Sequence, residues 1–247
     1  MAMSKLIVKL ADCPEEIEQA FRLRYQVFVE EEHIEHLMND SGIEQDEYDE
    51  YCEHLIVRDE EKDLVVGVYR MLPGHRVPDK GIYTCTEFDL TGFSEQLPLA
   101  LEIGRTCVHP DYRESKTMLL LWNGMLGYYG RNEFTYLMGC ASVRVNDPQE
   151  LNAIYSYFYN KTYTIDRYHI APLPGYRVEQ LQYIGDVDEK TAFRKLPPMI
   201  KGYLRLGSEI VREPVYDPIF KTYDFCMILT KDQMSPKYKR HFIESRI

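Results

Sequence analysis

The run Leu99-Ala100-Leu101-Glu102-Ile103-Gly104-Arg105-Thr106-Cys107-Val108 reads as a β-strand with a carboxylate and a guanidinium inside it. Strict alternation sends Glu102 and Arg105 to opposite faces and sets one charge against the core. A bulge at Ile103-Gly104 puts both on one face, and glycine within a strand is a usual bulge marker. The pair then forms a general base and a positioning cation, which suits an attacking amine that must lose a proton. An edge strand with two solvated charges is the plainer alternative, and it fits an otherwise apolar run poorly. Arg70 poses the same problem in the run Leu64–Leu72, where it lies in line with Val66 and Val68. Arg24 poses it on a helix, inside the face formed by Ile17, Phe21 and Phe28. Arg24 either snorkels out at the edge of the core or sits in a cleft where Asp46 and Asp49 grip its guanidinium. The run Asp46-Glu47-Tyr48-Asp49 taken alone is an ordinary solvated loop.

Other chemistries find less support. Cys107 as a nucleophile lacks an activating base except His109 next door. The acidic loop lacks the glycine and distal glutamate of a calcium loop, and His33 with His36 has no third ligand. No metal is expected. The six cysteines contain no C-x-x-C pair and read as reduced thiols of a cytosolic protein.

The elements that must position these residues alternate. Leu6–Leu10 is a short strand, and Pro14-Glu15-Glu16 opens a helix that runs to about Glu31. An acidic loop over 39–50 leads into a hairpin of Cys52–Arg58 and Leu64–Leu72. The Glu102 strand ends at His109-Pro110, and a helix follows with Ser115 as its N-cap. Phe134–Ala141 is a further strand, and Asp147-Pro148-Gln149-Glu150 caps a helix to about Tyr159. Pro197–Val211 reads as helical, Tyr223–Leu229 as a last strand and Ser235–Ile243 as a short helix. This order predicts an α/β fold with a mixed sheet and helices on both faces.

The net charge of −11 is unevenly placed. Residues 1–63 hold 19 acidic and 6 basic side chains, whereas 190–247 hold 6 acidic and 12 basic. Nucleic acid is therefore not an expected partner, since phosphate binding needs a strong basic face. A local basic patch still suits an acidic protein or an anionic lipid surface. No signal peptide or membrane-spanning run is read from the chain, which places it in the cytoplasm, with peripheral contact with the inner-membrane surface left open.

Val108-His109-Pro110-Asp111-Tyr112-Arg113, at a strand-to-helix turn, resembles the GNAT acyltransferases. Phe21–Phe28, Tyr48–Leu55, Leu101–Val108, Gly139–Ser142 and Leu196–Gly207 resemble the ornithine N-acyltransferases, so the likeness covers about residues 20–243. A wider resemblance is to the acyl-homoserine lactone synthases, which share a helix arginine, a D-x-x-D pair, a strand arginine and an E-x-x-R strand. Here these are Arg24, Asp46 with Asp49, Arg70, and Glu102 with Arg105. The resemblance implies a GNAT-like bulged central sheet, with a core over 1–165 and a C-terminal extension over 166–247 packed on it as one domain. It implies transfer of a (3-hydroxy)acyl chain from acyl carrier protein to the α-amine of an amino acid, foremost L-ornithine. No bound cofactor is implied, the donor being the carrier's acyl-phosphopantetheine.

In this reading Glu102 and Arg105 are catalytic, Arg24, Asp46, Asp49 and Arg70 shape the acceptor pocket, and Val108, Arg113 and Lys116 meet the donor. A cationic acceptor side chain favours an acidic pocket, which residues 44–50 can supply. The turn Arg113-Glu114-Ser115-Lys116-Thr117-Met118 departs from acetyl-CoA users, since it has no glycine to bring backbone close to a pyrophosphate. That favours a carrier-protein donor, for which Arg113 and Lys116 are the expected landing site, with Arg194, Lys195, Lys201 and Arg205 next. The alternatives are glycine or another amino acid as acceptor, and a non-catalytic acyl-carrier or lipid-binding module.

Overall fold

The computed structural model describes residues 5–77 and 79–244. Strand β1 (Leu6–Leu10) precedes helix α1 (Pro14–Tyr25), which widens into a π-helical turn over Gln26–Glu31. β2 (Glu53–Asp59) and β3 (Leu64–Pro73) form the expected hairpin. Its turn is tied by the Asp59 carboxylate, which accepts from the Glu61 and Lys62 N–H groups. After a loop region carrying the short strand β4 (Phe88–Asp89) come β5 (Ala100–Val108), α2 (Thr117–Arg131), β6 (Tyr136–Val143) and α3 (Pro148–Asn160). The chain continues through β7 (Thr164–Ile165), β8 (Ala171–Pro172), α4 (Glu189–Lys195), α5 (Pro198–Leu206) and β9 (Glu209–Val211). It ends with β10 (Val215–Asp217), β11 (Thr222–Thr230) and α6 (Pro236–Lys239).

One sheet runs in the order β1-β2-β3-β5-β6-β11-β9-β7, with β10 also on β11, while β4 and β8 pair separately. Neighbours are antiparallel except β5 with β6 and β7 with β9. On one face α2, α3 and α5 pack through Leu121, Met125, Ile154, Phe158, Ile200 and Leu204. On the other, α1 and its π-helical turn lay Ala20, Leu23 and Val27 on Val65 and Val68, and the segment 82–93, which carries β4, adds Ile82, Phe88 and Phe93. Each larger apolar side chain buried there stabilises the fold by about 1.5–3 kcal/mol, which is why helices are held on both faces.

Two readings of the sequence are corrected. The helix expected over Pro197–Val211 stops at Leu206, because Gly207 takes a left-handed φ of 104° and donates its N–H to the Leu204 carbonyl. The remaining residues then enter β9. Lys116, not Ser115, holds the N-cap position of α2. Ser115 instead accepts the Thr117 N–H on its hydroxyl from one position further out.

Candidate active site

The β3–β5 register pairs Val68 with Cys107 and Arg70 with Gly104, so Arg105 and Thr106 together face Tyr69 alone. This is a bulge, two residues beyond the Ile103-Gly104 position expected from the sequence. The left-handed residue is Arg105 itself, at φ 48°. A side chain there costs roughly 1–2 kcal/mol in backbone conformation, and the ion pairs of Arg105 hold it. Gly104 serves differently, since a Cβ at that position would meet no atom within 4 Å. The missing side chain leaves room beside Glu102.

β5 and β6 pair only where Ala100–Glu102 face Tyr136–Met138, and beyond that they part. Gly139 sits at the fork, so close to the Ile103 carbonyl that a Cβ would lie 2.3 Å from its oxygen. A cavity of about 450 Å³ opens there and reaches both faces of the sheet. Its polar half carries Arg70, Glu102, Arg105, Cys140, Asp217 and Asp224, and its apolar half Leu137, Met199, Ile200, Tyr203 and Met227.

Glu102 is oriented by backbone rather than by Arg105. Its Oε2 accepts the Tyr83 N–H at 2.7 Å, and its Oε1 accepts the Thr84 N–H at 2.7 Å and the Thr84 hydroxyl at 2.5 Å. Burial raises its pKa, opposed by the Thr84 and Tyr83 hydrogen bonds and by the charge of Arg70. The result is a carboxylate more basic than usual, with part of its acceptor capacity open to the cavity.

The arginines are held by an interlocked set of carboxylates. Arg24, fully buried, donates Nε to Glu44 at 2.5 Å and both Nη atoms to Asp49 at 2.7 and 3.0 Å. Arg70 donates to Asp46 at 2.6 Å, and Arg105 donates to Glu44 at 3.1 Å and Asp46 at 3.0 Å. The cleft reading of Arg24 thus holds with a change of partner, since Glu44 and Asp49 grip it while Asp46 serves the two strand arginines. Arg24, Glu44 and Asp49 lie behind the cavity, and only Arg70 and Arg105 of this network line it. Burial would raise the pKa of Asp49, but Arg24 hydrogen bonding and charge hold it down to about 2. Glu44, Asp46 and Asp49 are therefore neutralised from within and do not line the cavity, contrary to the expectation that the 44–50 loop supplies an acidic pocket for a cationic acceptor side chain.

A second acidic group was not singled out from the sequence. Glu87, Asp217 and Asp224 are buried, and Asp217 and Asp224 line the cavity beside Cys140. Asp224 carried the same signal as Glu102, an acid inside an apolar strand. Glu87 and the backbone donors of Tyr83 and Thr84 carried none, because loop coordinates alone bring them in.

The residues expected to meet the donor lie apart from this cavity. Val108 is buried in the core, Arg113 pairs with both Glu31 oxygens at 2.5 and 2.6 Å, and none of Val108, Arg113 and Lys116 lines the cavity. Burial pushes the Cys107 thiol up to about 12, and the Cys140 thiol rises well above its usual value for the same first reason. Neither sulfur is a thiolate nucleophile at neutral pH.

Residues 23–123 match the acetyltransferase (GNAT) domain family. The chain is 32% identical over 257 residues to an L-ornithine Nα-acyltransferase of Brucella abortus, with 97% of this chain and 89% of that protein covered. It is 33% identical over 253 residues to the enzyme of that name from Rhodobacter capsulatus, covering 95% and 93%. The chain belongs to the L-ornithine Nα-acyltransferase family. Solved structures share the fold at low identity. The acyl-homoserine lactone synthase LasI superposes with a TM-score of 0.56 at 13% identity, covering 98% of both chains. FeeM, an N-acyl amino acid synthase from uncultured soil microbes, gives 0.52 at 10%, covering 94% and 96%.

Within this acyltransferase family fold, the turn from Arg113 to Thr117 enters α2 without a glycine and with its arginine engaged by Glu31. Among the described residues, no helix is long and apolar enough to cross a membrane.

Proposed function

We propose that this chain transfers a 3-hydroxyacyl group from acyl carrier protein to the α-amine of L-ornithine, giving a lyso-ornithine lipid. The observation that carries this reading is the fork cavity, which joins a charged half on one face of the sheet to an apolar half on the other. An acyl chain suits the apolar half, lined by Leu137, Ile200, Tyr203 and Met227, and an amino acid suits the charged half. The thioester carbonyl then lies at the fork, beside Glu102.

The α-ammonium gives one proton to Glu102, and the free amine attacks the thioester carbon. The C–N bond forms, the tetrahedral intermediate expels the thiolate, and the second amine proton ends on that sulfur. Amide, thiol and one released proton balance the step. Arg70 and Arg105 receive the acceptor carboxylate, because both guanidiniums line the cavity with N–H groups beyond those given to Asp46 and Glu44. Arg24, Glu44, Asp46 and Asp49 are positioning residues that hold those two guanidiniums. The raised pKa of the Cys140 thiol, which lines the cavity, supports direct attack over an acyl-enzyme, and Cys107 does not line the cavity.

The carrier-protein donor is supported by the glycine-free turn at 113–117, which offers a pyrophosphate no close backbone approach. The lipid product is released to the inner-membrane surface, which a peripheral encounter would serve. Incubation of the protein with 3-hydroxyacyl carrier protein and L-ornithine, followed by mass spectrometry, tests the reading. Product is expected with the wild type, and Glu102→Gln should lower kcat by roughly 10²–10⁴. Wild-type turnover in Glu102→Gln would remove the base from this scheme.

A further inference from the structure

Around the same cavity, one group of acids has no cation of its own. Glu87 is 1% exposed, and its Oε2 has no hydrogen-bond partner among the described residues. Acid oxygens of Glu87 and Asp224 and the Cys140 sulfur lie within 4.8 Å of one another. Asp224 accepts the Thr222 hydroxyl at 2.7 Å on one oxygen, and Asp217 accepts the Ile219 and Phe220 N–H groups on one of its own. None of these three acids has a basic side chain within 4 Å among the described residues, although every carboxylate of the neighbouring network has one. A buried carboxylate oxygen left unpaired is costly, and a fold retains one where something else completes it.

We infer that Glu87 and Asp224, with Asp217 adding charge at the cavity wall, form the subsite for the δ-ammonium of the acceptor. The inference rests on the ornithine reading above and assigns its side-chain specificity. Placement supports it. The Thr84 hydroxyl touches Glu102 at 2.5 Å and the Cys140 sulfur at 3.7 Å, so a short side-chain bridge links the base to the acidic pair. The two nitrogens of ornithine are five bonds apart, ~6 Å when extended, a span of the same order as that bridge. An α-amine at Glu102 thus directs the δ-ammonium toward Glu87 and Asp224, while Arg70 and Arg105 face the carboxylate. An ammonium brings three donors, and the unpaired Glu87 Oε2 and the remaining carboxylate lone pairs of Asp224 can accept them.

Charge matching points the same way. Burial raises the pKa of both carboxyls, reinforced at Glu87 by the charges of Asp224 and Asp217 and opposed at Asp224 by hydrogen bonds from Thr222 and Ser142 and by the charge of Arg105, so near neutral pH the pair retains a proton between them. A pair with one negative charge complements a single ammonium, whereas a divalent ion would call for both carboxylates ionised.

The test compares L-ornithine with L-norvaline, which has the same carbon chain without the δ-amine. In the wild type kcat/KM for ornithine should exceed that for norvaline by ~10² or more, as for a site built to hydrogen-bond one polar group. In Glu87→Gln and Asp224→Asn that ratio should fall toward one, mainly through a higher KM for ornithine. Thermal shift with each amino acid and no donor gives a readout independent of chemistry, and it also checks that each variant folds. Ornithine, not norvaline, should raise the wild-type melting temperature, and Glu87→Gln should abolish the rise. If the wild type acylates no amino acid yet shows that shift, the subsite stands and the acyl-transfer reading falls. Variants that fold and keep the wild-type ratio and shift overturn the subsite. Stabilisation by Zn²⁺ or Mg²⁺ that Glu87→Gln abolishes, with none from ornithine, overturns it in favour of a metal.

Discussion

Glu44, Asp46 and Asp49, on the loop after α1, hold the cavity's arginines without lining it, while Asp217 and Asp224 line the cavity itself and Glu87 sits against Asp224 and Cys140. Both groups are largely withdrawn from water, and they differ in their partners. The first is interlocked with Arg24, Arg70 and Arg105, so its negative charge is used inside the protein to hold two guanidiniums at the cavity wall. The second has a threonine hydroxyl and backbone N–H groups as donors and, among the described residues, no basic side chain within 4 Å. If the second group is the ammonium subsite proposed above, it is the presence of an internal counter-charge, and not an acid's type or depth, that separates acids that build the site from acids that bind at it.

Removing charge should have opposite consequences in the two groups. Arg24→Ala leaves Glu44 and Asp49 buried without their guanidinium and should destabilise the fold by about 3–5 kcal/mol, read from urea denaturation. A loss under ~1 kcal/mol would mean that the network is solvated and the contrast false.

The second group should destabilise the ligand-free protein as pH rises. Glu87 titrates upward to about 8, so between its unfolded value near 4.5 and that point the folded state holds the extra proton. Stability falls as pH climbs through this window and is greatest below it, with Asp224, Asp217, Glu102 and the Cys140 thiol facing the same group. Glu87→Gln should flatten the slope and be more stable than wild type at pH 8.5 by about 2 kcal/mol. Asp49 has the reverse sign. Its pKa is depressed to about 2, so its contribution is present above its usual 3.8 and is lost as pH falls through about 2. Equal slopes in wild type and Glu87→Gln would break the comparison.

Gly104 sharpens it from the cavity side. Gly104→Val places a branched side chain in open space, so stability should change by less than ~1 kcal/mol while kcat/KM drops at least about tenfold through misplacement of the acceptor. A large stability loss would show that the space is needed by the fold. The smallest effect is expected outside both groups. Charge reversal at Arg113 and Lys116 should raise KM for the carrier protein a few-fold and weaken its salt dependence, with little change in KM for the amino acid. Indifference at low ionic strength would move the landing site toward Arg205 and Lys201.

Sequence patterns alone marked Glu102, Arg105, Arg70 and Arg24, because a charge that interrupts a periodic apolar face must find a partner wherever the chain folds. They also set the element order, since hydrophobic period and capping residues act locally. The partners were decided only in three dimensions. Nothing in the spacing of Glu44 from Arg24 shows that it outcompetes Asp46 for that guanidinium, and nothing local shows that Arg105 itself takes the left-handed bulge position beside an available glycine. The same holds for Glu102, whose donors Tyr83 and Thr84 arrive from a loop, and for Glu87, whose neighbour Asp224 lies more than a hundred residues away. The physical reason is range. Backbone preference and burial pattern are read within a few residues, whereas charge pairing, strand splay and the shape of a cavity depend on which distant segments the sheet brings within a few ångströms.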